Sequence, residues 1–313
     1  MPKHKILITG GCGFIGSRVI AGLIDTTHDL YIVDNLSTGR KENVPLDRVT
    51  LKVCDIRSVE AYDYIQEIQP EYVIHLAAQI DVQTSMEEQH YDADVNIMGT
   101  LNIVQACMQL PALQQFVFAS TAAVYGNNTD LPLTEKSNTI PTSPYGQSKL
   151  VGEQYLALMH HLYQLPYAVL RFANVYGKKS YAANDVITSF WTKLSSGESP
   201  VIFGDGKQTR DFIYVEDIAS ALIEAMYVTP SGIYNISTNE QTTINDVLRT
   251  MNVLLANQVL PTHVSERAGD IRDSRLANDK FVHHTNWIPK QTIQTGLYKT
   301  LQNQTNKVKV ENK

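Results

Sequence analysis

The feature that most narrows the fold is a glycine-rich loop near the start of the chain. Ile6-Leu-Ile-Thr-Gly-Gly-Cys-Gly-Phe-Ile-Gly16 places glycines at 10, 11, 13 and 16, after an apolar β-prone run and before a helical pattern at Ser17 to Ile24. In that setting the glycines let backbone amides at a helix N-terminus approach a pyrophosphate. A tight turn that happens to be glycine-rich is the plainer alternative, but the flanking strand and helix favour dinucleotide binding. Gly10, Gly13, Phe14, Ile15 and Gly16 are therefore candidate cofactor contacts. Asp34 closes the next β-like run 18 residues past Gly16, near the roughly 20 at which a carboxylate meets the adenosine ribose hydroxyls. An acid there repels a 2′-phosphate, so NAD is expected over NADP. Arg40 and Lys41 read as an exposed charged turn, and Cys12 as a small residue where space is short.

Short β-branched runs then alternate with longer amphipathic stretches, the pattern of successive βαβ units around a parallel sheet. Strands are predicted at Lys5 to Thr9, Leu30 to Asp34, Val49 to Cys54, Tyr72 to Leu76, Phe116 to Ala119 and Ala168 to Phe172. Helical patterns, each apolar on one face, include Ser17 to Ile24, Val95 to Leu110 and Tyr145 to Tyr163. Beyond Gly177 the pattern is irregular, with loops around Lys178 to Asn184 and at Gly204-Asp-Gly206, a short helix at Val215 to Met226 and a mixed segment to Trp287. The expected class is α/β: a Rossmann-type doubly wound parallel sheet with a smaller mixed α/β C-terminal substrate domain. The division expected is 1–173 plus 211–237 for the dinucleotide half and 174–210 plus 238–313 for the substrate half. The polar stretch Leu301 to Lys313 is expected to fray.

With 313 residues, 43% of them hydrophobic, the chain can bury a core large enough for two domains. Its net charge of −6 argues against nucleic acid or an anionic membrane as a partner, so an anionic ligand must meet locally placed cations. The apolar run at the start is too short for a signal peptide, and no run of about 18 apolar residues suggests a membrane span. Cys12, Cys54 and Cys107 are an odd count at unrelated spacings, which fits reduced cytoplasmic thiols rather than disulfides or a metal site.

Tyr145 and Lys149, four residues apart, stack a phenol and an ammonium on one helical face. A free tyrosine titrates near about pH 10, too high for a useful base, and a fixed cation nearby is expected to pull it down. A solvated helix pair is the bland alternative.

Thr9-Gly-Gly-Cys-Gly-Phe-Ile-Gly16, Asp55-Ile56, His75-Leu-Ala-Ala78, Asn96 before Gly99-Thr-Leu-Asn102 and the Tyr145/Lys149 pair occur in order. Together they resemble the extended short-chain dehydrogenase/reductase family, and most of all its UDP-glucose 4-epimerases, from about residue 5 to 290. The resemblance implies that Asp34 and its neighbours Asn35, Ser37, Thr38 and Gly39 hold the adenosine ribose, while Asp55 and Ile56 border the adenine. Leu76, Ala77 and Ala78 would line the cofactor channel, with Asn96 and Ala173 beside it. Asn96 as a buried amide and His75 as a core histidine are the simpler readings, and for His75 the simpler one is preferred.

Thr121 matches the family's catalytic Ser/Thr, whose hydroxyl can bridge a sugar hydroxyl and the tyrosine. The sugar-nucleotide 4,6-dehydratases resemble this segment but carry an acid pair after the threonine to eliminate water. Here those positions are Ala122 and Ala123, which have no proton to give. The catalytic set implied is Thr121, Tyr145 and Lys149, with Tyr145 and Lys149 also touching NAD. For the substrate, the resemblance implies Asn174, Arg210 and Arg267 at the diphosphate and Asp270 at the uridine ribose, two guanidinium forks suited to phosphate oxygens. A surface ion pair is the alternative for each arginine, with Asp211 beside Arg210. Ser274 stands where some epimerases carry a bulky tyrosine, so UDP-N-acetylglucosamine is expected alongside UDP-glucose. Thr121 and Tyr145 would also contact the sugar. The implied activity is NAD-dependent UDP-hexose 4-epimerisation in a cytoplasmic homodimer paired through Val95 to Leu110 and Tyr145 to Tyr163. The competing readings are a nucleotide-sugar 4,6-dehydratase or another sugar-nucleotide oxidoreductase, and a non-catalytic NAD-binding regulator.

Overall fold

The computed structural model describes residues 3–178, 185–256, 258–266 and 271–311, with side chains through 302. Arg267 and Asp270 lie outside the described residues. The first half runs β1 (Lys5–Thr9), α1 (Gly16–Leu23), β2 (Asp29–Asp34), β3 (Thr50–Val53), α2 (Val59–Ile68), β4 (Tyr72–His75), α3 (Val82–Glu87) and α4 (Gln89–Ala93). A π-helical turn at Asp94–Gly99 leads into α5 (Thr100–Cys107), then β5 (Gln115–Thr121), α6 (Pro144–Tyr163) and β6 (Tyr167–Phe172). The remainder is β7 (Asn174–Tyr176), α7 (Val186–Ser195), β8 (Val201–Phe203), β9 (Thr209–Arg210), β10 (Phe212–Tyr214), α8 (Val215–Ala225), β11 (Gly232–Ile236), β12 (Thr242–Thr243), α9 (Ile244–Leu254), β13 (Thr262–Val264), α10 (Asp279–His284) and α11 (Ile293–Glu311).

Seven parallel strands form the main sheet in the order β11-β6-β5-β4-β1-β2-β3. The central strands are buried on both faces, which is why they read as continuous apolar runs rather than alternating ones. Ile6, Ile8, Ile32, Ile74, Val117 and Leu170 face one apolar layer, which α1 and α8 complete. Leu7, Val33, Val73, Phe116, Phe118 and Val169 face the other, under α2, α5 and α6. Strand order reverses between β1 and β4, the switch point at which open α/β sheets bind ligands outside the carboxyl ends of their strands.

The expected sheet lacked one strand. Gly232–Ile236 pairs in parallel with β6, Gly232 opposite Ala168 through Ile236 opposite Phe172. Its signal, Ile233-Tyr234 and Ile236 between a glycine and a serine, is short and follows a region of loops. The predicted helix over Val95 to Leu110 divides into the π-helical turn and α5, and the wider turn coincides with an inward-facing Asn96. Helix α11 continues through Glu311, where a frayed tail was expected, and Ile293, Leu297 and Leu301 anchor its first part in a third apolar cluster. That cluster also holds Tyr176, Phe190, Ile202, Phe212, Val247 and Met251, which gives the C-terminal elements an interior separate from the two layers on the sheet.

Candidate active site

The loop after β1 turns sharply before α1, and two glycines are needed there for different reasons. Gly10 has φ +69°, a left-handed conformation that side chains disfavour. A Cβ on Gly16 would sit 2.3 Å from the Gly10 carbonyl oxygen, so the start of α1 packs directly on the loop. Above them opens a cleft at the carboxyl ends of the strands. Gly10, Gly13, Phe14, Ile15, Gly16, Asp34, Asn35, Ser37, Thr38, Asp55, Ile56, Leu76, Ala77 and Ala78 all line it, as do Tyr145 and Lys149.

Asp34 is tightly held. The Cys12 N–H donates to its Oδ2 (2.9 Å) and the Leu36 N–H to its Oδ1 (2.8 Å). Burial raises its carboxyl above the usual range, and those two amides pull it back. Asp55 is held below the usual range by Arg57, whose guanidinium also reaches Asp94, and Asn35 donates to its Oδ2 (2.9 Å). Gly39 stands just behind the lining, where a Cβ would lie 3.0 Å from both Asp34 oxygens.

Asn96 and Ala173 do not line the cleft. Asn96 is buried behind its wall, with Oδ1 accepting from the Gln79 N–H (2.8 Å) and Nδ2 donating to the Gln79 carbonyl, Asp92 and Ser148. Ala173 donates its N–H to the Ile236 carbonyl at the end of β6. Sequence reasoning missed Gln79, Ile80, Tyr91, Val95, Ala119, Ser120 and Phe172, which also line the cleft; the strand-end position could have indicated Ala119, Ser120 and Phe172, whereas Tyr91 and Val95 come from α4 and the π-turn. His75 lies in the core between the Thr9 and Thr100 hydroxyls, kept neutral by burial that lowers its pKa to about 3.

Ser143 caps α6 by accepting from the Gly146 N–H (3.1 Å), and Pro144 opens the first turn. This start sets Tyr145 beside the end of β5, where the Thr121 hydroxyl acts on its phenol. One turn on, Lys149 is buried, its Nζ donating to the Ala119 carbonyl (2.9 Å) and lying 4.8 Å from the Phe118 ring centroid. Burial lowers its pKa to about 8, against the pull of Asp92 and Glu153. The expectation that the ammonium would draw the phenol down is corrected: burial dominates and pushes Tyr145 up to about 12, with only the nearby Thr121 hydroxyl opposing. Desolvation of a phenolate outweighs a lysine that is itself partly desolvated and spends a proton on a carbonyl.

A second cavity opens just past β6. Asn174 and Arg210 both line it, with Phe190, Ile202, Phe203 and Gln208 among its walls. Phe172 lines the first cleft and Asn174 the second, so only Ala173 intervenes along the chain. Asp211 turns away from this cavity to accept from Thr238, Asn239 and Leu276. Ser274 is buried and lines neither cavity. Among the described residues no cluster of His, Cys, Asp or Glu could hold a metal, and no helix is long and apolar enough to cross a membrane.

The switch-point cleft and glycine loop define a Rossmann protein with a dinucleotide site, and the tyrosine–lysine pair stands on its wall. Residues 6–237 match the model of the NAD dependent epimerase/dehydratase family, and the chain belongs to that family. It is 32% identical over 306 residues to a UDP-glucose 4-epimerase of Mycolicibacterium smegmatis, covering 95% of this chain and 97% of the relative. A UDP-glucose 4-epimerase of Thermotoga maritima, solved with UDP-glucose, superposes with a TM-score of 0.93 at 35% identity, covering 97% and 99%. A UDP-N-acetylglucosamine 4-epimerase of Methanobrevibacter ruminantium, in complex with UDP-N-acetylmuramic acid, gives 0.92 at 33% identity, covering 98% and 100%.

Proposed function

We propose that this chain is a UDP-hexose 4-epimerase that interconverts UDP-glucose and UDP-galactose through a transient 4-keto sugar. The observation that carries the reading is Tyr145 on the wall of the cofactor cleft with buried Lys149 one turn on, its Nζ held by the Ala119 carbonyl two residues before Thr121. Ala122 and Ala123 follow where a dehydratase needs acids, which disfavours elimination of water. NAD bound in the cleft supplies a hydride acceptor and donor for C4 of the sugar. Tyr145 takes the proton of the C4 hydroxyl and later returns it, with Thr121 orienting that hydroxyl. Lys149, fixed by the Ala119 carbonyl, keeps a cation against the nascent phenolate. Asn174 and Arg210 hold the diphosphate in the second cavity, aided by Arg267, with Asp270 at the uridine ribose. A firm grip on the nucleotide and a loose one on the sugar allow the 4-ketose to present its other face.

Ser274 is small where some epimerases carry a bulky tyrosine, and the chain is 33% identical to a UDP-N-acetylglucosamine 4-epimerase, so the N-acetylhexosamine pair is proposed as substrates too; turnover of the unsubstituted hexose alone would refute that extension. The sheet domain, 1–173 plus 211–237, holds NAD, and 174–210 plus 238–313 holds the UDP-sugar. A homodimer through the π-turn/α5 and α6 is supported by exposed Met98, Tyr155, Leu158 and Leu162 on those elements, and sedimentation as a monomer would exclude it. Three free buried cysteines suit a cytoplasmic enzyme.

Incubation with UDP-galactose, following UDP-glucose formation and NADH absorbance together, tests the reading. Product without accumulated NADH is expected. Accumulating NADH would indicate a net dehydrogenase, loss of water a dehydratase, and no turnover a binding protein. Tyr145→Phe should lower the rate by at least about 10²-fold to 10⁴-fold, and near-normal turnover in that variant would remove Tyr145 from the mechanism.

A further inference from the structure

The tyrosine–lysine pair is backed by a buried acid that the proposed chemistry leaves unused. Asp92, on α4, is 1% exposed. Its Oδ1 accepts from Gln79 Nε2 (3.0 Å) and from Asn96 Nδ2 (3.1 Å), and the same Asn96 amide donates to the Ser148 hydroxyl (3.1 Å). Ser148 stands between Tyr145 and Lys149, and its hydroxyl also reaches the Tyr145 carbonyl (3.1 Å). Gln79 lines the cofactor cleft, so one carboxylate ties the cleft wall to the catalytic helix.

Buried polar networks of this kind are costly unless fully satisfied, so an acid placed here must offset its own desolvation. Of the titratable groups on the elements packed against α4, Tyr145 and Lys149 of α6 flank Ser148, which Asn96 links to the Asp92 carboxylate, and its charge bears on both. Glu87 on α3, Glu88 and His90 beside α4, and Asp94 on the π-turn are exposed to solvent. Beyond Lys149 lie neutral His75 and Glu153, the latter paired with Arg171.

We propose that Asp92 is a positioning residue for epimerisation, a fixed buried anion that orients α6 through Asn96 and Ser148 and sets the charge balance of Tyr145 and Lys149 together. This rests on the assignment of that pair as the proton-transfer couple. The sign follows from charge: an anion disfavours the phenolate and favours the ammonium. Removing it lowers both pKa values, so both limbs of a bell-shaped rate profile move the same way.

The test compares pH profiles of kcat/KM for the wild type, Asp92→Asn and Asp92→Glu, with thermal melting of each. Asparagine keeps an acceptor for Gln79 and Asn96, so the fold is retained. Its whole profile should slide to lower pH by about one unit. Glutamate keeps the charge, so its profile should stay in place while kcat falls. A profile that stays put in Asp92→Asn, or slides in Asp92→Glu, overturns the proposal, and the glutamate arm decides alone should the asparagine variant fail to fold. Tyr145→Phe retaining activity would instead remove the underlying assignment, whatever the Asp92 variants do.

Discussion

Glu153→Gln removes one charge from an ion pair with almost no access to water. Glu153 is 1% exposed and Arg171 3%, and Arg171 Nε and Nη2 reach its carboxylate at 3.0, 3.1 and 2.6 Å. The Ser120 hydroxyl donates to the same carboxylate, and the Tyr125 ring lies 4.8 Å from the guanidinium carbon. Among the described residues Arg171 Nη1 has no hydrogen-bond partner, so the guanidinium depends on Glu153 for its counter-charge. Unit charges about 4 Å apart at an effective dielectric near 20 attract by roughly 4 kcal/mol, and breaking one side of a buried pair costs about 3–5 kcal/mol. At about 2 °C per kcal/mol for a large domain, melting should fall by roughly 6 to 10 °C. Urea unfolding with linear extrapolation gives the free energy, and the double change Glu153→Leu with Arg171→Met should recover most of it, because no charge is then left stranded. Melting of Glu153→Gln within about 2 °C of the wild type would refute the reasoning, since it would mean the pair is hydrated in solution. Ser120 lines the cleft next to Thr121, so turnover should fall as well.

Gly16→Ala should abolish NAD binding, measured by calorimetric titration, because its Cβ would lie 2.3 Å from the Gly10 carbonyl oxygen and 2.6 Å from the Gly11 Cα. His75 makes stability depend on acid. Its folded pKa of about 3 lies below the unfolded value near 6.5, so the unfolded chain binds a proton the folded one refuses. Stability is therefore full above about pH 6.5 and declines towards pH 3, by about 2 kcal/mol at pH 5. His75→Gln should lose less melting temperature between pH 7 and 5 than the wild type, and equal slopes would count against the assignment.

What could be read from the sequence was what is local. The glycine loop, Asp34 and the Tyr145/Lys149 spacing depend on neighbours within a turn or a strand, and these residues line one cleft. The six predicted strands all occur, with ends shifted by a few residues. Strand β11 was invisible because five residues between loops carry little period, and its identity comes from pairing with β6 far upstream. The direction of the Tyr145 shift was misjudged for a related reason: spacing gives proximity, whereas burial is set by the packing of β5, α4 and α6 together. Asp92 and Gln79 act only through partners distant in the chain, so nothing at their own positions announces them.

The third apolar cluster has a consequence for how such a scaffold can diversify. Because α7, α9 and α11 rest on an interior of their own, replacements there alter the shape offered to an incoming sugar nucleotide without disturbing the strands that carry Thr9, Asp34 and Thr121. Under the proposed function, such changes retailor the side that meets the sugar nucleotide and leave the cofactor side as it is.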